Sequence, residues 1–155
     1  MSDWCTLAAD LFVEYAWLLD NDRLEDWVQL FVEEGEYRIV PRDNFDQGGA
    51  LALLSCRNRA MIRDRVLALR VANEYDIHYA RHLIAPARLT DAADDAVRFQ
   101  ANYLVMHTDQ GGNSRPFSTG CYHGRLGLRD RQARILELTV VIDTFCVQSL
   151  IATPL

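Results

Sequence analysis

The hydrophobic period of this chain changes along its length, and that change limits the folds open to it. Near the start, Trp4, Leu7, Ala8, Leu11, Tyr15, Leu18 and Leu19 recur at three and four residues. This spacing predicts an amphipathic helix that stops at Asp20-Asn21. A second helix is expected at once. Asp22 with Glu25 three residues on resembles a capping box with aspartate in the serine position, Leu24, Trp27, Val28 and Phe31 form a buried stripe, and Gly35 ends it. A short strand from Glu36 to Val40 follows, closed by Pro41, then a loop from Arg42 to Gly49 and an apolar segment, Ala50 to Cys56, of ambiguous type. Asn58 to Ala72 reads as a third helix with Ile62, Val66 and Leu69 inward.

After Tyr79 the period becomes two. Val97, Phe99, Ala101, Tyr103 and Val105 alternate with polar residues, and Leu136, Leu138, Val140 and Ile142 alternate with Glu137 and Thr139. Strands are also expected at Arg81 to Leu89 and Phe117 to Leu128, with turns at Asp91 to Asp95, Asp109 to Asn113 and Arg129 to Gln132. Helices first and consecutive strands after is the α+β order, best packed as a strongly curved, mainly antiparallel sheet wrapping the N-terminal helices. Gly120 and Gly124 sit two pleats apart on one face, where such a sheet would bend.

Length supports one domain over residues 1–155, and a chain of this size buries roughly 70% of its unfolded surface. No apolar run approaches the ~20 residues of a membrane span; the longest is Ala50 to Leu54. The acidic start Met1-Ser2-Asp3-Trp4-Cys5 lacks the features of a signal peptide, and Cys5, Cys56, Cys121 and Cys146 form no CxxC pair. Reduced thiols in a cytoplasmic protein are expected. The net charge is -6, and all 16 basic residues are arginine. Schiff-base lysine, lysine general-base and P-loop lysine chemistry are thereby excluded, and bulk nucleic-acid binding is disfavoured. Codon bias accounts for the missing lysine, while some of the arginines suit carboxylates at a protein interface.

Metal motifs are present only in part. Cys121-Tyr122-His123 is the first half of a Rieske pattern, but three residues beyond Cys146 stands Ser149, which cannot replace a ligating imidazole. Asp76, His78 and His82 hint at a facial triad, yet their spacing sends them in different directions. The arginine run Arg57, Arg59, Arg63, Arg65 and Arg70 reads either as a solvated helix face or as a surface for a carboxylate-rich protein. A curved sheet closing on helices makes a conical cavity. There Tyr15, Asp20 or Asp22, and His82 would supply an acid–base set; the alternative is a capping carboxylate and a hydrogen-bonded core histidine.

The run Tyr37-Arg38-Ile39-Val40-Pro41-Arg42-Asp43-Asn44-Phe45-Asp46-Gln47-Gly48, then Ala60-Met61-Ile62-Arg63-Asp64-Arg65-Val66, then Tyr79-Ala80-Arg81-His82-Leu83, resembles the small (β) subunit of aromatic ring-hydroxylating oxygenases. The ending Val141-Ile142-Asp143-Thr144 and the apolar tail to Pro154-Leu155 fit the same family, with salicylate hydroxylases and terephthalate dioxygenases the nearest members. The loop from Asp109 to Arg115 and the tail after Asp143 depart from the pattern. The resemblance implies a nuclear-transport-factor-2-like or cystatin-like cone and a mainly structural, non-catalytic role. It also implies a large (α) subunit partner that carries the Rieske 2Fe–2S cluster and the mononuclear iron, with no cofactor on this chain. Three small and three large subunits would assemble, the small ones as a homotrimer. Asn44, Gln47, Arg63, Arg65, Arg81 and His82 are then candidate subunit contacts. The alternative is a free-standing dehydratase or isomerase of the same fold.

Overall fold

A computed structural model of the chain describes residues 2–49, 51–71, 77–93, 95–144 and 154–155. Helix α1, Ser2–Asp20, buries Trp4, Ala8, Leu11, Phe12, Tyr15, Leu18 and Leu19 along its expected face. It ends where Asp22 takes a left-handed φ of 57° and the Arg23 N–H donates back to the Leu18 carbonyl at 2.8 Å. Helix α2, Leu24–Val28, is only five residues long, and β1, Phe31–Pro41, begins three residues later. The second helix therefore stops well short of Gly35. The reason is long-range: Phe31 pairs in parallel with Ile135, about a hundred residues away, so the last apolar residue of the helical stripe is spent on a strand. Gly35 instead occupies a bulge between Phe31 and Glu36, where a Cβ would approach the Val32 carbonyl oxygen to 2.9 Å. The expected capping box does not form either. Arg23 is the N-cap, without a side-chain cap bond, and the Asp22 and Glu25 carboxylates turn to Arg70. A planar guanidinium offering several charged donors outcompetes one backbone N–H.

The expected loop after β1 holds a one-turn helix, α3, Arg42–Asp46, and the ambiguous apolar segment ends in β2, Leu54–Cys56, antiparallel to β1. Helix α4, Arg59–Val71, buries Ile62, Val66 and Leu69 as read, and the Asn58 side chain accepts the Met61 N–H at its start. The strand expected from Arg81 to Leu89 is two strands, β3, His78–Ile84, and β4, Arg88–Thr90. Pro86 lies in the gap, where it has no N–H to give the ladder. Three long strands follow: β5, Ala96–Asp109, β6, Ser114–Arg129, and β7, Gln132–Ile142.

The sheet order is β2-β1-β7-β6-β5-β3, with β4 also on β5, and β1–β7 is the parallel pairing in an otherwise antiparallel sheet. The sheet curls around α1 without closing, which leaves β2 at one edge and β3 with β4 at the other. Gly120 and Gly124 mark the tightest part: a Cβ would sit 2.0 Å from the Val141 carbonyl oxygen and 1.9 Å from that of Glu137. A register shift between Arg125 and Leu126 alters one face assignment. Ile135 is fully buried in β7, while Leu136, expected inward, is half-buried.

Candidate functional site

Asp20 is the last residue of α1, where the helix dipole disfavours a carboxylate. His82 on β3 offsets that cost. Its Nδ1 lies 2.7 Å from Asp20 Oδ1, and its backbone N–H reaches the two carboxylate oxygens at 3.0 and 3.1 Å. Because His82 turns this N–H away from β5, the carboxylate also caps a free sheet edge. The His82 side chain is 1% exposed, and its Nε2 is buried with no hydrogen-bond partner among the described residues. The other members of the expected acid–base set are elsewhere. Asp22 is exposed and bonded to Arg70 at 2.6 Å, and the Tyr15 hydroxyl donates to the Leu155 oxygen at 2.5 Å. The fold thus joins Asp20 to His82, while the Asp22 carboxylate is taken by Arg70 and the Tyr15 hydroxyl by Leu155.

Inside the cone the side chains are aromatic and closely set. Tyr15, Trp27, Phe31, Tyr37 and Tyr122 are each at most 1% exposed. Trp27 meets Tyr15, Phe31 and Tyr37 edge-on, with ring centroids 5.2 to 5.8 Å apart, and Tyr103 stacks on Tyr122 at 4.5 Å. Burial pushes the phenols of Tyr15, Tyr37, Tyr103 and Tyr122 well up, so all four are neutral hydroxyls at physiological pH. Pro154 and Leu155 are buried as well, and Leu155 is part of this core.

The described members of the metal motifs lie in different surroundings. His123 packs on Phe45 at 4.8 Å, and the half-buried Cys121 thiol donates weakly to the Tyr122 carbonyl. Asp76, Cys146 and Ser149 lie outside the described residues. His78, His107 and Phe117 stack in a row, at 4.3 and 3.8 Å. Burial, then the neighbouring His78, His82 and Arg115, hold the His107 imidazole down to about 4. Among the described residues, no group of three histidine, cysteine, aspartate or glutamate side chains is placed to share an ion.

The arginine run divides between the fold and solvent. Arg70 joins α4 to Asp22 and Glu25, and Arg59 donates to the Phe31 carbonyl. Arg65 is half-buried near Tyr37 and Cys56, whereas Arg63 is exposed with no partner among the described residues. Arg81 stands on the outward face of β3 between Tyr79 and Leu83, which are 61% and 55% exposed, while His82 turns inward. The Asn44 amide donates to the Leu51 carbonyl, which holds its loop, and Gln47 is exposed at the end of α3. Two surface residues escaped the sequence reading. Val13 and Trp17 are 71% and 51% exposed on α1 and line a groove with Ile84, Ala85 and Pro86. Their signal was available, since neither falls on the helix's three-and-four stripe.

An open, curled sheet wrapped around an N-terminal helix defines the class: a nuclear-transport-factor-2-like, cystatin-like cone. Comparison with known proteins narrows it further. The family model described as "Ring hydroxylating beta subunit" matches residues 14–149, and the chain belongs to that family. The small subunit of anthranilate 1,2-dioxygenase from Burkholderia cepacia is 37% identical over 137 residues, which is 88% of this chain and 85% of that one. Subunit beta 2 of the terminal oxygenase component of terephthalate 1,2-dioxygenase from a Comamonas species is 28% identical over 141 residues, 91% and 92% of the two chains. Among solved structures, the beta subunit assigned to an aromatic-ring-hydroxylating dioxygenase of Novosphingobium aromaticivorans superposes with a TM-score of 0.88 at 37% identity. That match covers 97% of this chain and 95% of the other. The family resemblance carried by the Tyr37–Gly48, Ala60–Val66 and Tyr79–Leu83 segments is thus correct.

Proposed function

We propose that this chain is the structural, non-catalytic small subunit of a multicomponent oxygenase that hydroxylates the ring of an aromatic acid in aromatic catabolism. The carrying observation is the family match across residues 14–149, shared with small subunits of anthranilate and terephthalate dioxygenases. In this reading a large (α) subunit holds the Rieske 2Fe–2S cluster and the mononuclear iron, and separate proteins deliver electrons from NADH. The chain works as one domain in the cytoplasm, in a homotrimer within a three-plus-three assembly. No described helix is long and apolar enough to cross a membrane.

The surface supports the partner half of this reading. Arg63 and the Tyr79–Arg81–Leu83 face leave charge and apolar area at the surface of the described residues, with Arg81 tied only to the neighbouring Ala80 carbonyl among them. Arg63, Arg65, Arg81, Asn44 and Gln47 are the assigned contact positions, with guanidinium–carboxylate pairs fixing the geometry. His82 serves from inside, by anchoring β3 to α1. One observation favours a free-standing acid–base enzyme, the Asp20–His82 pair, but the Tyr15 hydroxyl and Asp22 are committed elsewhere. Adding the purified chain to a large subunit, with the aromatic acid, NADH, O2 and the electron carriers, tests the proposal. Ring hydroxylation is expected only with both subunits, and turnover by this chain alone would overturn it.

A further inference from the structure

The inside of the cone holds an arrangement that the subunit role does not require. Leu155 is 2% exposed, and its backbone is gripped by two tyrosines from distant elements. The Leu155 oxygen accepts from Tyr15 on α1 at 2.5 Å and from Tyr37 on β1 at 3.1 Å. The Tyr37 oxygen in turn accepts the Leu155 N–H at 3.0 Å. One phenol thus meets both the N–H and the oxygen of a single residue, a contact that reads an acylated amino acid rather than a bare hydrocarbon. Trp27 and Tyr122 pack against the gripping tyrosines. The Trp27 indole N–H and the Tyr122 hydroxyl are buried with no hydrogen-bond partner among the described residues, although both act on the Tyr15 hydroxyl from nearby. Leaving such groups unsatisfied is costly in a protein core. The Tyr15 hydroxyl, whose own proton goes to Leu155, is an acceptor within reach of both groups, so they back the grip on the Leu155 oxygen.

We propose that the interior of the cone is a binding site for an N-acylated amino acid with a branched apolar side chain, and that Leu155 of the chain itself occupies it. Tyr37 reads the amide N–H and the oxygen, Tyr15 reads the oxygen, and Trp27, Tyr122 and the surrounding core enclose the side chain. Occupancy by Leu155 keeps other small molecules out of the cone. The site is independent of the outer faces assigned to the large subunit, so failure of either idea leaves the other standing.

The test uses the full chain, its Leu155→Gly variant and N-acetyl-leucine, which presents the same amide N–H, isobutyl group and oxygen. The Leu155→Gly chain should lose thermal stability, and millimolar N-acetyl-leucine should raise its Tm in a saturable way while leaving the wild-type Tm unmoved. Tyr37→Phe in the Leu155→Gly background should weaken that binding at least tenfold. Equal Tm shifts in wild type and variant, or no shift in either, would overturn the proposal. If Leu155→Gly does not fold unaided, refolding from urea gives the same decision. Recovery of soluble protein with N-acetyl-leucine but not with N-acetylglycine supports the site, and no difference between the two overturns it.

Discussion

The two tryptophans nearest the α1–α2 turn have opposite fates. Trp27 on α2 is 1% exposed, enclosed by Tyr15, Phe31 and Tyr37; Trp17 on α1 is 51% exposed beside Val13. The contrast extends through the molecule. The interior is lined by aromatic rings and takes in Leu155, while Tyr79 and Leu83 on β3, and Leu67 and Val71 on α4, remain in contact with solvent. Burying apolar area is worth about 25 cal/mol per Å², so these outward side chains would gain from being covered. Inside, then, the residues settle the fold; outside, they are available to a partner.

Substitutions on the two sides should separate these roles, and the largest loss of stability belongs to the interior. Asp20→Ala removes the partner of a buried imidazole and of the His82 N–H together. It should cost about 2–4 kcal/mol in urea unfolding, because it leaves buried donors without an acceptor. Gly124→Ala forces a methyl group toward the Glu137 carbonyl oxygen and Phe99, and should cost about 1–3 kcal/mol. Arg70→Ala breaks an exposed link between α4 and the α1–α2 turn, worth about 1 kcal/mol or less after solvent screening. Its pH signature is specific. Arg70 holds the Glu25 carboxyl down to about 2 against an ordinary 4.5, so the contribution is full above pH 4.5 and fades as pH falls toward 2. The Arg70→Ala stability profile should be flatter in that window.

His107 adds a second, separable window. Its imidazole binds a proton less readily in the fold, at about 4 against an ordinary 6.5, so stability should drop as pH falls from 6.5 to 4. His107→Phe should remove that slope. The outer face gives the smallest change in folding and the largest in assembly. Arg63→Ala and Arg81→Ala should each shift unfolding by no more than about 0.5 kcal/mol. Each should also weaken trimerisation or large-subunit capture by about tenfold, read by size-exclusion mass and co-purification. Unchanged assembly in both would remove the contrast between inside and outside.

The parts of the molecule that were legible in the sequence are those whose pattern is local. Strands β5 and β7 are long and half-buried, so alternation located them, apart from the shift at Arg125–Leu126 that exchanged Leu136 for Ile135, and β6 was expected between its flanking turns. The stretch from Gln29 to Gly35 was misread as helix because Phe31 continues a helical stripe, and its real partner, Ile135, is too distant to leave a local mark; the strand expected from Glu36 to Val40 is the second half of β1. The same limit applies to the site. An aspartate at a helix end and a histidine at a strand start were recognisable as candidates, but not which of Asp20 and Asp22 would face His82. Two residues around the turn, the second carboxylate belongs to Arg70. Nothing in the tail's pattern showed that Leu155 would reach Tyr15 and Tyr37, since a two-tyrosine grip has no period.

Co-expression of this chain with the large subunit of such an oxygenase, followed by stoichiometry and iron analysis of the purified material, tests the central claim most directly. The account predicts an equimolar complex whose iron follows the large subunit, and a small subunit that binds no iron when purified alone. Iron retained by this chain alone, or a large subunit that assembles to full activity without it, would contradict the account.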